Sequence, residues 1–178
     1  MNTEQQDRHL FPTLTTPRLL LRKLEINDAP EIFSLRSDDR VNQYLDRPKA
    51  ANLAAAKEFI ETITTGIEQN KCFYWAISLK NDPELIGTIC LWNGDKEHAM
   101  IETGYELLPV YQGKGLMQEA LLEIIKYAFK TLDVKTIIAC PVAANEKSVR
   151  LLERNGFIAN GINEGNELVY SLKSPVTF

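Results

Sequence analysis

Three groups of residues in this chain carry chemistry by type and spacing. Residues 107–119 read LLPVYQGKGLMQE, between the end of a strand and the start of a helix. Gly113 and Gly115 remove side chains that would obstruct a ligand, and the N–H groups of Gly113 to Met117 point outward from the helix N-terminus. Orphan donors and the positive end of the helix dipole act together there, and Lys114 adds a cation, so the turn suits a phosphate or pyrophosphate. The plain alternative is a tight turn that needs glycine for a positive φ. The second group lies on the strand around 100–107, where Ile101, Thr103, Tyr105 and Leu107 alternate with Glu102, Gly104 and Glu106. Glu102 and Glu106 thus share one face and are candidates for proton transfer, unless each simply pairs with a nearby Arg or Lys; a bulge would shift the faces. The third is Asn145 and Ser148, one helical turn apart at the start of a late helix. Asn145 reads as a helix cap and Ser148 as a polar first-turn residue, and a cap beside a cleft can also face a ligand.

Other chemistries find few residues to use. The only histidines are His9 and His98, and Cys72, Cys90 and Cys140 stand far apart in apolar runs. The cysteines read as buried free thiols, with no two at metal-ligand spacing, and a Ser-His-Asp triad or a zinc site finds little to build on. A Walker A loop fails because Gly115 follows Lys114 and Leu108 stands at its first glycine. A dinucleotide fingerprint fails at Gln118 and because the preceding strand belongs to a meander. With 20 Lys+Arg against 24 Asp+Glu the net charge is −4, which supplies no field for coating a nucleic acid. No stretch approaches the roughly 18 apolar residues of a membrane span, and no signal peptide is evident, so a cytoplasmic protein is expected.

The elements that must position these groups are legible from period. At 178 residues, 44% of them hydrophobic, one core is the expectation. Residues 1–15 show no period and read as a loose leader, followed by a single domain over 16–178. A strand is expected at 18–24, and a short helix after Asn27 or Asp28 as N-cap, with Pro30 in its first turn. A second helical stretch falls at 39–44, and an amphipathic helix at 52–69 with Leu53, Ala56, Phe59, Ile60, Ile63 and Ile67 on its apolar stripe. Strands at 73–79, 85–92 and 98–108 form an antiparallel meander. A long amphipathic helix follows at 115–132, then a strand at 135–141, a helix at 145–155 closed by Gly156, and strands at 157–163 and 167–172. The order describes a mixed α+β fold.

In this order the chain offers Thr16-Pro17-Arg18-Leu19-Leu20-Leu21-Arg22, Gly87-Thr88-Ile89, Glu102-Thr103-Gly104-Tyr105, Pro109-Val110-Tyr111-Gln112-Gly113-Lys114-Gly115 through Glu119-Ala120, Asn145-Glu146-Lys147-Ser148, and Leu151-Leu152-Glu153-Arg154-Asn155-Gly156-Phe157. This series resembles the GNAT superfamily of acetyl-CoA-dependent N-acetyltransferases, and more closely its Rim-type branch of ribosomal-protein N-terminal acetyltransferases. Met117 departs from the small residue that usually closes the family loop, a departure that the branch tolerates. The resemblance implies a mainly antiparallel central sheet of about seven strands, flanked by helices and splayed at an acetyl-CoA cleft. Leu107, Leu108 and Val110 would offer backbone groups to the pantetheine arm, and Gln112, Gly113, Lys114, Gly115, Leu116 and Met117 would hold the pyrophosphate.

The implied reaction is direct attack of an amine on the thioester, which needs a neutral amine, a stabilised oxyanion and a proton for the thiolate. Glu102, the first residue of the Glu102-Thr103-Gly104-Tyr105 segment that carries the resemblance, is the first candidate for the base and Glu106 the second. Asn145 would bond the pantetheine. Ser148 would protonate the thiolate, since Leu151 and Leu152 stand where many relatives carry an acidic tyrosine; otherwise water does so. Glu119 is expected to tie the first helical turn to the loop. Lys147 and Arg150 either meet the 3′-phosphate or form a solvated helix face. No metal is implied. The acceptor is an amine of a protein N-terminus or of a small molecule such as a polyamine or aminoglycoside, read by residues 28–69 and the hairpin loops. A monomer or homodimer is equally compatible. The alternatives are a non-catalytic acyl-CoA-binding or sensing module and a nucleotide-binding interaction protein.

Overall fold

The computed structural model describes residues 11–175, so most of the expected leader, residues 1–10 with His9, lies outside the described residues. One sheet of eight strands forms the centre: β1 (Leu14–Thr15), β2 (Leu19–Lys23), β3 (Phe73–Leu79), β4 (Asp82–Asp95), β5 (Met100–Leu107), β6 (Thr136–Ala139), β7 (Ile158–Ile162) and β8 (Leu168–Lys173). Their spatial order is β1-β2-β3-β4-β5-β6-β8-β7, and every neighbouring pair is antiparallel except β5 with β6. The strand beyond the expected seven is β1, too short to show a period. Residues 11–15 are held to the core: Trp75 donates its indole N–H to the Pro12 carbonyl at 2.7 Å, and the Phe11 and Trp75 rings lie 5.5 Å apart.

The helices α1 (Ala29–Ser37), α2 (Asp39–Asn42), α3 (Leu53–Glu68), α4 (Leu116–Lys130) and α5 (Glu146–Arg154) divide between the two faces. On one face α4 buries Leu116, Ala120, Leu121, Ile124 and Ala128 against Leu21, Trp75, Ile77, Ile89 and Ile137 of the sheet, and α5 adds Leu152. On the other, α1 contributes Ala29, Ile32 and Leu35, and α3 contributes Ala56 and Ile60, packed on Tyr74, Ala76 and Leu85. Pairs of residues three and four apart explain both stripes. Leu53, expected on the α3 stripe, is the first helical residue and stands 43% exposed.

Local chemistry shifts several boundaries. Asp28 does not cap α1 with its side chain; the carboxylate receives the Arg22 guanidinium at 2.6 and 2.9 Å and the Glu25 N–H at 2.8 Å, and a short 3₁₀ turn at Ile26–Asp28 precedes the helix. β4 begins at Asp82, three residues before the expected start at 85, because the hairpin with β3 closes more tightly and absorbs irregularities around Ser78. The three cysteines are free, as expected, but only partly buried.

A carboxylate joins α4 to the start of the sheet. Glu119 accepts the Arg18 N–H and the Arg18 Nε–H, both at 2.7 Å, and the Thr16 hydroxyl, while Arg18 Nη1 donates to the Lys114 carbonyl at 3.0 Å. The tie therefore reaches from β2 to the glycine loop, rather than only from the helix to its own loop. Burial pushes the Glu119 carboxyl up, but the Thr16 and Arg18 hydrogen bonds and the Arg18 charge outweigh it and hold the group below its ordinary 4.5. A depressed folded-state value stabilises the fold above the ordinary pKa and loses that contribution as pH falls through the lower one. Glu119→Gln is expected to cost about 1–2 kcal/mol at neutral pH in urea denaturation, by loss of charge-assisted hydrogen bonds, and its deficit should close as pH falls below 4.5.

Candidate active site

The cleft begins where two strands part. β5 and β6 run parallel and pair only through Met100/Thr136, Ile101/Ile137 and Glu102/Ile138. β6 ends at Ala139 and pairs with β5 no further than Ile138, while on its other side it stays with β8, where the Pro141 carbonyl accepts the Leu168 N–H at 2.9 Å. On its other side β5 stays paired with β4 as far as Gly87/Leu107. Leu108 N–H donates to the Ile86 carbonyl at 2.9 Å, which fixes the alternation: even-numbered residues of β5 bond to β4, and the backbone of Thr103, Tyr105 and Leu107 faces the gap. Leu108 itself is committed, because its carbonyl also accepts the Tyr111 N–H. Of the backbone groups expected at this edge, those of Leu107 face the gap and those of Leu108 do not; Val110 lies in the following 3₁₀ turn, 67% exposed.

The glycine loop continues from this edge. Gly113 and Gly115 have φ of 75° and 73°, a left-handed backbone that a Cβ would strain, and Gly115 is the N-cap of α4 with no side-chain cap. The N–H groups of residues 113–115 have no hydrogen-bond partner among the described residues. The first-turn N–H groups of Leu116 and Met117 are orphans by helix geometry. The Leu116 side chain is buried, and Met117 packs partly against the same core, so it is their backbone that faces outward. Lys114 is exposed and its ammonium lies 5.5 Å from the centre of the Tyr111 ring. Gln112 ties the loop to β5 by donating to the Leu107 carbonyl at 2.9 Å, which leaves the Leu107 N–H and one carbonyl lone pair for a ligand. Its amide oxygen faces Lys147 Nζ at 3.4 Å. Arg150 instead pairs with Glu146 on the solvent side of α5. The unpartnered donors and the glycine backbone fit a diphosphate, and the free edge of β5 fits an amide-bearing arm.

α5 forms the far wall. Asn145 caps it by accepting the Ser148 N–H at 3.2 Å, so the asparagine oxygen is used by the helix. A reciprocal amide pair, Gln118 with Asn155 at 2.7 and 3.0 Å, fixes α5 to α4, and the Tyr170 hydroxyl donates to Glu153 at 3.0 Å. Ser148 Oγ lies 2.8 Å from the hydroxyl of Tyr105, so the open strand and the helix meet across the floor of the gap. Burial pushes the Tyr105 phenol up to about 12, with the Ser148 hydrogen bond pulling back in part. Sequence alternation places Tyr105 on the apolar face and gives it no role. Its place in the E-T-G-Y segment, three residues after Glu102, is the only sequence signal for it.

The two carboxylates lie on the opposite face of β5, toward α1 and α3, and are not equivalent. Glu102 is half-buried at the point where the strands part and accepts the Asn93 side-chain N–H at 3.1 Å. Burial raises its pKa above the ordinary 4.5, the Asn93 hydrogen bond lowers it in part, and the Glu167 charge raises it. Glu106 is held by both terminal nitrogens of Arg47, one at 2.9 Å, and Arg47 also donates to Asn42 at 2.8 and 2.9 Å. The pairing that competes with a role as base is therefore present at Glu106, whereas Glu102 has no cationic partner among the described residues. No cluster of potential metal ligands occurs among the described residues. None of the described helices is long and apolar enough to cross a membrane.

Comparison with known proteins agrees with this architecture. The family model for the acetyltransferase (GNAT) domain matches residues 18–158. The uncharacterized N-acetyltransferase YoaA of Bacillus subtilis (strain 168) is 32% identical over 153 residues, covering 86% of each chain. The [ribosomal protein uS5]-alanine N-acetyltransferase of Escherichia coli (strain K12) is 34% identical over 161 residues, covering 83% of this chain and 79% of the other. A GNAT-family acetyltransferase from Bacillus anthracis superposes with a TM-score of 0.78 at 26% identity, covering 91% of this chain and 98% of that one. The parted strands, the glycine loop and these likenesses agree: the chain belongs to the GNAT acetyltransferase family, in its Rim-type branch, and is an N-acetyltransferase.

Proposed function

We propose that the protein moves an acetyl group from acetyl-CoA to a primary amine by direct attack. The observation that carries this reading is the continuity of the unpaired edge of β5 with the unpartnered N–H groups of residues 113–115. An arm with amide groups laid along Tyr105 and Leu107 would complete the sheet edge, and its diphosphate would reach the N-terminus of α4. When bound, acetyl-CoA supplies the activated acyl group. The chain supplies position and proton handling. Glu102 takes the proton of the incoming amine, directly or through water, and its raised pKa brings it nearer to neutral pH than an ordinary carboxylate. Ser148 presents its hydroxyl to the departing sulfur from the opposite face of the strand. Glu106 orders the acceptor side by holding Arg47, and with it the segment between α2 and α3. The acceptor class favoured by likeness to the uS5-alanine enzyme is the α-amine of a protein N-terminus.

Calorimetric titration with acetyl-CoA is expected to show one site per chain, and no heat at millimolar ligand would exclude the reading. In an acetylation assay across peptide N-termini, polyamines and aminoglycosides, the peptides are expected to be the better acceptors. Glu102→Gln should lower kcat by about 100-fold, within the usual range for general-base catalysis, with little change in affinity for acetyl-CoA. Because the base must be ionised, wild-type activity should fall as pH drops through a value above 4.5, and the variant should lack that limb. Glu106→Gln should instead cost about 2–3 kcal/mol of stability by unpairing Arg47, less than a fully buried pair, and retain the pH limb.

A further inference from the structure

Tyr105 has a largely buried hydroxyl and a single hydrogen-bond partner among the described residues, Ser148 Oγ at 2.8 Å. The distance allows either hydroxyl to donate, and the greater acidity of a phenol than of an aliphatic alcohol favours the tyrosine as the donor. Burial keeps the phenol protonated throughout the neutral range, since it titrates only near 12. Ser148 has one proton and two lone pairs. Once a lone pair accepts from Tyr105, the serine proton points away from the tyrosine and is left for an acceptor in the gap between β5 and α5. The backbone that carries the serine is fixed, because its N–H is held by Asn145 and its helix is tied to α4 by the Gln118 and Asn155 amides.

We propose that Tyr105 is a positioning residue for acetyl transfer: its hydroxyl donates to Ser148 Oγ and thereby aims the serine O–H at the thioester sulfur. This rests on the acetyl-CoA reading above. As the bond between the amine nitrogen and the acyl carbon forms, the C–S bond breaks and its electron pair goes to sulfur. The serine O–H stabilises that thiolate by a hydrogen bond. The proton lost by nitrogen passes to Glu102 and then to solvent, and sulfur is protonated from solvent, so neither hydroxyl changes its proton count. The same geometry accounts for an aromatic residue on a face of β5 otherwise made of Ile101, Thr103 and Leu107: the ring supplies the length that carries a hydroxyl from the strand to α5.

The test combines kinetics with a spectroscopic titration of bound CoA, following thiolate absorbance against protein alone. In the wild type the bound thiol should ionise at lower pH than free CoA. Tyr105→Phe preserves the ring and should leave acetyl-CoA affinity unchanged by calorimetry, lower kcat about tenfold and raise the bound-thiol pKa by about one. Ser148→Ala should do the same, and the double variant should be no worse than Ser148→Ala. Wild-type kcat and thiol pKa in Tyr105→Phe, or losses that multiply in the double variant, would overturn the proposal while leaving acetyl transfer intact. Absence of CoA binding by the wild type would overturn both, and the calorimetry reports that outcome separately.

Discussion

The parting of β5 from β6 after three residue pairs is the constraint on which the site depends. An unpaired backbone N–H or C=O in a sheet interior is costly unless something satisfies it, and here the edge opens in the middle of the sheet rather than at its margin. The gap therefore exposes a strand edge that is rigid, because β4 holds its other side as far as Leu107. A rigid edge with free donors and acceptors is a template for an extended ligand that carries amides of its own.

What keeps the gap open is distributed over the chain. β6 leaves β5 after Ile138, and the chain then turns into α5. The Gln118 and Asn155 amides set the distance of α5 from α4, and Glu119 with Arg18 anchors the start of α4 to β2. On the opposite face Arg47 joins the α2–α3 segment to Glu106. The result places the carboxylate and the hydroxyl pair on opposite faces of one strand: Glu102 toward α1 and α3, Tyr105 with Ser148 toward α5. Alternation along β5 alone accomplishes that separation.

The sequence shows the elements well because period is local. The stripe of α4 and the glycine loop lie within windows of fewer than 20 residues, each strand of the meander is shorter still, and the fold follows their order. Partnerships across long separations do not leave such a signal. Arg47 is 59 residues from Glu106, and Ser148 is 43 residues from Tyr105, so neither pair is legible from spacing. Asp28 misleads for a related reason: its type and place read as a cap, but Arg22 across the turn takes the carboxylate. The backbone commitment of Leu108 depends on register with β4, which the sequence alone does not set.

The most direct test of the ligand template is amide hydrogen exchange with and without acetyl-CoA. Binding should slow exchange at Tyr105, Leu107 and residues 113–117, and leave the amides of β1 and β2 unchanged. Binding that leaves those positions unprotected, or that protects the α1 and α3 face instead, would contradict it.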